Sequence, residues 1–95
     1  MAKFETKGDN LFIDGEKVLK GWESFSGWFW FATKKVQTQD SVINGQVIEN
    51  DQIWYGLVQG LEEEWGDFSE GELKSLSPKI WAIPQKNLAW SGRRS

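Results

Sequence analysis

An uninterrupted aromatic run, Trp28 to Phe31, constrains the fold more than any other feature of this sequence. Side chains of an extended strand alternate between its two faces, so the two Trp residues of the run lie on one face and the two Phe residues on the other. A strand that is apolar on both faces is usually a central strand covered on both sides. The run therefore predicts a sheet interior with packing against each face.

Two dipeptides that favour tight turns predict hairpins on either side of this run. Asp14-Gly15 separates the apolar-rich segments 10–13 and 16–19, and Asn44-Gly45 separates two further short segments. Such dipeptides favour two-residue hairpin loops because the turn requires positive φ. The other predicted features are a short strand at 3–6, a loop at 20–27, a break at Asn50-Asp51, a strand at 52–59, an extended segment at 62–68 and a strand at 79–83.

The one good helix signal lies at residues 69–76. Ser69 followed by Glu72 matches a capping box, in which the hydroxyl and the carboxylate each accept a backbone N–H at the start of the helix. Pro78 ends the helix, because proline cannot continue it. The segments together predict a mainly β (α+β) fold: an antiparallel meander sheet of five to seven strands with one short helix near residues 69–76.

The composition excludes several kinds of function. The chain has 95 residues and contains no Cys and no His, which excludes disulfides, the usual zinc and haem sites, and nucleophilic sites that depend on an imidazole base. We expect one domain at 1–90, a frayed basic tail at 91–95, and no cofactor. No apolar stretch approaches the roughly 20 residues of a membrane span, and residues 1–7 lack the core of a signal peptide, so we expect a cytoplasmic protein without membrane contact.

The charges are segregated along the chain. Residues 36–73 carry nine acidic residues and no Lys or Arg, whereas residues 74–95 carry five basic residues and no acid. Two interpretations are open. The blocks meet in the fold and neutralise each other, or the acidic block forms a surface that recruits a basic partner.

Six of these acids fall within eleven residues, namely Glu62, Glu63, Glu64, Asp67, Glu70 and Glu72. A Ca²⁺ or Mg²⁺ site would use such oxygen ligands, but the EF-hand order is absent and Glu63 of a strand points away from its two neighbours. A solvated edge beside a helix N-terminus is the competing interpretation, and we expect no metal. Paired catalytic carboxylates need a deep cleft that a chain of this length rarely builds, so we expect no enzymatic activity.

The seven Trp residues exceed what a small core easily hides, because Trp is rarely fully buried. Most of them are expected to fill the core. One or two are expected to be partly exposed, and the candidates are Trp22, Trp65 and Trp90, because they lie at predicted loops or ends. Exposed Trp residues could stack on bases or sugars or anchor a protein interface.

Residues of about 25–77 resemble a small family of bacterial and archaeal domains without an assigned activity, carried on plasmids and other mobile elements. The matching positions are Trp28, Trp30, Phe31, Ala32, Thr33, Trp54, Tyr55, Gly56, Val58, Gly60, Glu64, Gly66, Phe68, Ser69, Glu72 and Leu73. The first 20 residues look unlike the family, and Asp67 and Glu70 stand where an aromatic residue and a Leu are expected. The resemblance implies no activity and favours an accessory protein of a mobile element or phage.

These observations predict a non-catalytic binding module whose partner is a protein with a basic surface. The expected binding residues are acids of the 62–72 cluster with aromatic anchors, namely Glu62, Glu63, Glu64, Trp65 and Asp67, together with Trp22 and Trp90. The alternative is single-stranded nucleic-acid binding through the Trp-rich sheet and the basic tail. The oligomeric state is open, because an edge strand such as 46–49 could pair with its copy.

Overall fold

The strands of this protein form two antiparallel sheets, which the computed structural model describes for residues 2–90. The three-stranded sheet has the order β1-β2-β3, with β1 (Phe4–Lys7), β2 (Asn10–Ile13) and β3 (Glu16–Lys17). The five-stranded sheet has the order β7-β6-β5-β4-β8, with β4 (Lys20–Ser24), β5 (Phe29–Ile43), β6 (Gln46–Gln59), β7 (Glu63–Ser69) and β8 (Ile80–Ala82). Helix α1 (Glu70–Ser75) follows β7, and a 3-10 helix spans Gln85–Trp90. The predicted mainly β antiparallel fold with one short helix is confirmed, with its strands divided between two sheets.

Both predicted hairpin turns are present. Asp14 and Gly15 have φ values of 50° and 83° between β2 and β3, and Asn44 and Gly45 have values of 51° and 78° between β5 and β6. Positive φ at both central positions is the backbone conformation that these dipeptides favour.

Strand β5 is central and is covered on both faces, as the aromatic run predicts. Phe31 is fully buried among Leu11, Leu57 and other apolar residues beneath the three-stranded sheet. Ala32, the next residue, belongs to a second apolar cluster to which α1 contributes Leu73. The five-stranded sheet therefore separates two small cores.

The segment predicted as a loop at 20–27 contains strand β4, so this prediction is wrong for residues 20–24. Trp22 lies opposite Trp30 of β5 on one side and opposite Ala82 of β8 on the other. The segment has no clear apolar alternation, and it becomes a strand because two distant segments supply its backbone partners.

The predicted break at Asn50-Asp51 is also wrong, because β6 runs through it. The register with β5 shifts between Gln39↔Asp51 and Ser41↔Ile48, and Asn50 has a φ of 56°. An irregularity of this kind is a β-bulge, which adds residues to a strand without ending it.

Helix α1 begins at the predicted cap. The Ser69 hydroxyl accepts the N–H of Glu72 at 3.0 Å, and the Asp51 carboxylate accepts the N–H of Gly71 at 2.7 Å. Asp51, which lies next to the bulge, therefore ties the start of the helix to the sheet. No helix within residues 2–90 combines the length and the apolar character that crossing a membrane requires.

Candidate functional site

Strand β7 forms one edge of the five-stranded sheet and carries most of the predicted binding residues. It pairs with β6, and no other strand within residues 2–90 pairs with it. Glu63, Glu64, Trp65 and Asp67 lie in the strand, and Glu62 immediately precedes it. The outer side of an edge strand presents backbone N–H and C=O groups that have no partner strand. The structure thus brings these five predicted residues together along an open edge.

The alternation of β7 sorts its side chains onto two faces. Trp65 lies opposite Leu57, on the face that the three-stranded sheet covers, and its neighbours at every second position on that face are Glu63 and Asp67. Glu64 lies opposite Val58 on the other face. One face of the edge therefore presents a carboxylate, an indole ring and a second carboxylate in a row.

Trp65 is half-buried and held by its neighbours. Its ring stacks on Tyr55 with the centroids 5.9 Å apart and the planes 21° apart, and it packs against the core that contains Leu57. A small cavity of about 180 Å³ lies beside it, between Ala2, Glu63 and Asp14. The indole is thus fixed in place while part of its surface stays accessible.

The carboxylates along the edge differ in their partners. Glu63 accepts hydrogen bonds from the Ala2 N–H at 3.0 Å and from the Gln59 amide at 2.7 Å. These bonds hold the pKa of Glu63 below its usual value, because they favour the ionised form. Glu62, Glu64 and Asp67 are exposed and form no ion pair with any residue in the range 2–90. The edge therefore carries negative charge that the described chain leaves unneutralised.

Glu70 belongs to this acidic cluster in sequence but not to its surface, so its predicted place on a solvated edge is wrong. It is only 6% exposed, and its carboxylate accepts the indole N–H of Trp54 at 2.9 Å. Lys74 lies 2.8 Å and Lys20 3.5 Å from its oxygens. Burial raises the pKa of Glu70, but Lys74, Trp54 and Lys20 outweigh it and hold the pKa below its usual value. The Glu70–Lys74 contact is the one ion pair, within residues 2–90, that joins the acidic block to the basic one.

Trp22 does not belong to the exposed surface, so its choice as a candidate for partial exposure is wrong. It is 3% exposed and packs edge-on against Phe68, with the ring centroids 5.9 Å apart. Its burial follows from its place in β4, where it lies between two neighbouring strands. The Trp90 side chain and the predicted tail at 91–95 lie outside the described part of the chain.

Two exposed aromatic residues that sequence reasoning missed lie in the turn between β4 and β5. Phe25 is 74% exposed and Trp28 is 36% exposed. Trp28 belongs to the aromatic run but precedes the first residue of β5, so the packing of the central strand does not cover it. The sequence signal for this surface is Phe25 itself, an apolar residue between two Ser residues and two positions before Gly27.

The described residues contain no group of three or more acidic side chains placed to hold a metal ion. Comparisons of the chain with protein-family models, with curated proteins and with solved structures found no match.

Proposed function

We propose that this chain is a non-catalytic protein-binding module that takes a basic, extended segment of a partner protein along the outer edge of β7. The open edge, where exposed acids accompany the half-buried Trp65, is the observation that carries the proposal. An extended segment that adds to a sheet edge gains affinity from main-chain hydrogen bonds and specificity from its alternate side chains.

The charges of β7 favour a basic partner over a second copy of the chain. Two β7 strands side by side would bring carboxylates near carboxylates, which is destabilising across neighbouring strands. Charged side chains on an edge strand also protect it against indiscriminate pairing. A segment rich in Lys or Arg meets no such repulsion.

The row of side chains on β7 defines a sequence pattern for the partner. Opposite Glu63, Trp65 and Asp67, the partner strand would carry a basic, an apolar and a basic residue at alternate positions. On the other face, a methyl group added at Gly66 would meet no atom within 4 Å, so that position leaves room for a large partner side chain. The predicted pattern is therefore Lys/Arg, any residue, apolar, any residue, Lys/Arg.

A synthetic nine-residue peptide with this pattern at its centre tests the proposal by isothermal titration calorimetry. We expect saturable binding that Asp67→Asn weakens by about fivefold at low salt, because one favourable charge opposite a basic residue of the peptide is removed. Glu49→Gln is the matched control, since Glu49 is an exposed acid of β6 away from this edge. Equal binding of the peptide by the parent, the Asp67→Asn variant and the Glu49→Gln control would contradict the proposal.

Two further measurements separate strand addition from general charge attraction. A peptide N-methylated at alternate positions keeps its charges but loses backbone donors, and we expect its binding to be lost. Trp65→Ala should weaken binding of the unmodified peptide by tenfold or more, which is the usual effect of removing an aromatic anchor. Circular dichroism of this variant must match the parent, because Trp65 also packs against the core. Equal affinity for the methylated peptide would exclude strand addition.

The exposed Phe25 and Trp28, with Lys79 near them, favour single-stranded nucleic acid as a second candidate partner. Stacked bases on such rings would quench Trp fluorescence, and the effect would weaken steeply with salt. The net charge of −3 opposes this candidate. If Trp fluorescence does not change when oligothymidine is added at low salt, nucleic acid is excluded as a partner.

The resemblance of residues 25–77 to the mobile-element family supports a role for this module as an accessory protein of a plasmid or phage, acting in the cytoplasm of the host cell.

A further inference from the structure

A second candidate site lies away from β7, between the β4–β5 turn and the turn that follows α1. It is a cavity of about 280 Å³. The residues that line it are mostly apolar, namely Ser24, Phe25, Ser26, Trp28, Trp30, Leu76, Lys79 and Ile80. We call it the Phe25–Trp28 pocket. Its volume is near the lower end for small-molecule sites, which suits a ligand of one or two rings.

The walls of the Phe25–Trp28 pocket are held in place by hydrogen bonds. The Phe25 N–H donates to the Lys79 carbonyl at 3.0 Å, which joins the two turns that form the pocket. The Ser24 N–H donates to the Trp28 carbonyl at 2.9 Å, and the Trp28 N–H donates to the Ser24 hydroxyl at 3.1 Å. These bonds fix the backbone of the turn that carries Phe25, so the turn does not have the freedom of a loose loop.

Two indole rings form one side of the pocket. The Trp28 and Trp30 centroids are 6.1 Å apart and their planes are tilted by 32°. Trp28 lies against Gly60, where an added methyl group would collide with its six-membered ring. The missing side chain at Gly60 thus lets Trp28 lie close to the sheet. The part of the Trp28 ring that does not contact Gly60 is available to a ligand.

The charge and polarity of the lining select the ligand. Among the described residues that line the pocket, Lys79 is the only charged one, and it forms no ion pair with any other described residue. The Ser24 and Ser26 hydroxyls lie 2.9 Å apart and bond to each other. Few polar groups therefore remain to read the edge of a nucleobase, whereas Lys79, whose side chain is exposed, remains to pair with one anionic group.

We propose that the Phe25–Trp28 pocket binds a small apolar or aromatic carboxylate, with its body against Trp28 and Trp30 and its carboxylate beside Lys79. An apolar lining with a small number of polar groups is the usual composition of a small-molecule site, in which the polar groups fix orientation. This inference is independent of the β7 edge, because the two sites share no residue and attract opposite charges.

The test uses 2-naphthoate as the ligand and its neutral analogue 2-naphthamide as the comparison, titrated by calorimetry into the full chain. We expect 2-naphthoate to bind and Lys79→Ala to weaken it by about fivefold while leaving the amide unchanged. Lys86→Ala is the matched control, since Lys86 is an exposed lysine outside the pocket. Phe25→Ala should weaken the binding of both compounds. Phe25 is exposed, so we expect this variant to fold.

Three results would overturn the inference. One is the absence of 2-naphthoate binding up to millimolar concentration. Another is an affinity for 2-naphthoate that neither Phe25→Ala nor Lys79→Ala changes. The third is tighter binding of thymidine monophosphate than of 2-naphthoate, which would assign the pocket to a nucleotide instead.

Discussion

Glu70 shows how a single charged residue can be buried at little cost when each of its oxygens has a partner. Its two lysine partners are more than half exposed, so they return to water easily if the carboxylate is removed. The indole N–H of Trp54 cannot return to water in the same way, because Trp54 is buried and Glu70 is its hydrogen-bond acceptor. The Trp54–Glu70 hydrogen bond is therefore the contact whose loss matters most.

Glu70→Ala should lower the free energy of unfolding by about 1–3 kcal/mol, the usual cost of leaving a buried donor without an acceptor. Lys74→Ala should cost less than about 1 kcal/mol, because the lysine is largely exposed. Urea unfolding followed by Trp fluorescence measures both. Glu72→Ala, in the same helical turn but exposed, is the control. If Glu70→Ala and Glu72→Ala have equal effects, the buried hydrogen bond does not have the role assigned to it.

At the level of elements, close approach between β5 and β6 depends on a residue without a side chain. A methyl group at Gly56 would collide with the carbonyl oxygen of Phe31. Gly66 lies directly opposite Gly56 on the edge strand β7, yet a methyl group there would meet nothing within 4 Å. The two paired glycines thus differ in their tolerance of a side chain, because Gly56 is enclosed and Gly66 faces open space.

Gly56→Ala should lower the free energy of unfolding by about 1–3 kcal/mol or more, because β5 and β6 must move apart. Gly66→Ala should be neutral or stabilising by up to about 1 kcal/mol, since alanine reduces the conformational freedom of the unfolded chain. The comparison needs only thermal or urea unfolding of the two variants. If Gly66→Ala lowers the free energy of unfolding as much as Gly56→Ala does, the sheet face at Gly66 is not open.

Across the whole molecule, two buried carboxylates join α1 to the five-stranded sheet. Glu70 is one and Asp51 is the other, and Asp51 accepts hydrogen bonds from Ser41, Ser69 and the Gly71 N–H. Burial raises the pKa of Asp51, but the hydrogen bonds, above all that of Ser69, outweigh it and hold the pKa below its usual value. Both carboxyls therefore bind protons more weakly in the folded chain than in the unfolded one.

This difference predicts a loss of stability in acid. The contribution of the two carboxyls to the free energy of unfolding is fully present above about pH 5. It is lost as the pH falls through about 4 and below, because the unfolded chain takes up protons first. Asp51→Asn should be less stable than the parent at pH 7 and should lose less stability between pH 6 and pH 3. Asp67→Asn, at an exposed position, controls for the loss of one charge. A parent-like pH dependence in Asp51→Asn would contradict the assignment.

The parts of the fold that the sequence predicted are those that depend on local chemistry. The turns at 14–15 and 44–45, the cap at Ser69 and the central aromatic strand all follow from neighbouring residues. The strand at 20–24 and the continuity of β6 through Asp51 depend on partners distant in sequence, and no local signal shows them. The same limit applies to the sites. The open edge at β7 follows from strand order, and the Phe25–Trp28 pocket forms only where two remote turns meet.

The long pairing of β5 with β6 has a consequence for the order in which the chain folds. Pairing starts beside the Asn44-Gly45 turn, at Ile43↔Gln46, and each further pair closes only a slightly larger loop. Such local contacts cost little loop-closure entropy and form early. The pairing of β4 with β8, by contrast, joins Trp22 near one end to Ala82 near the other. A nascent chain can therefore complete the central hairpin during synthesis, whereas Trp22 gains its second neighbouring strand only after β8 has been made.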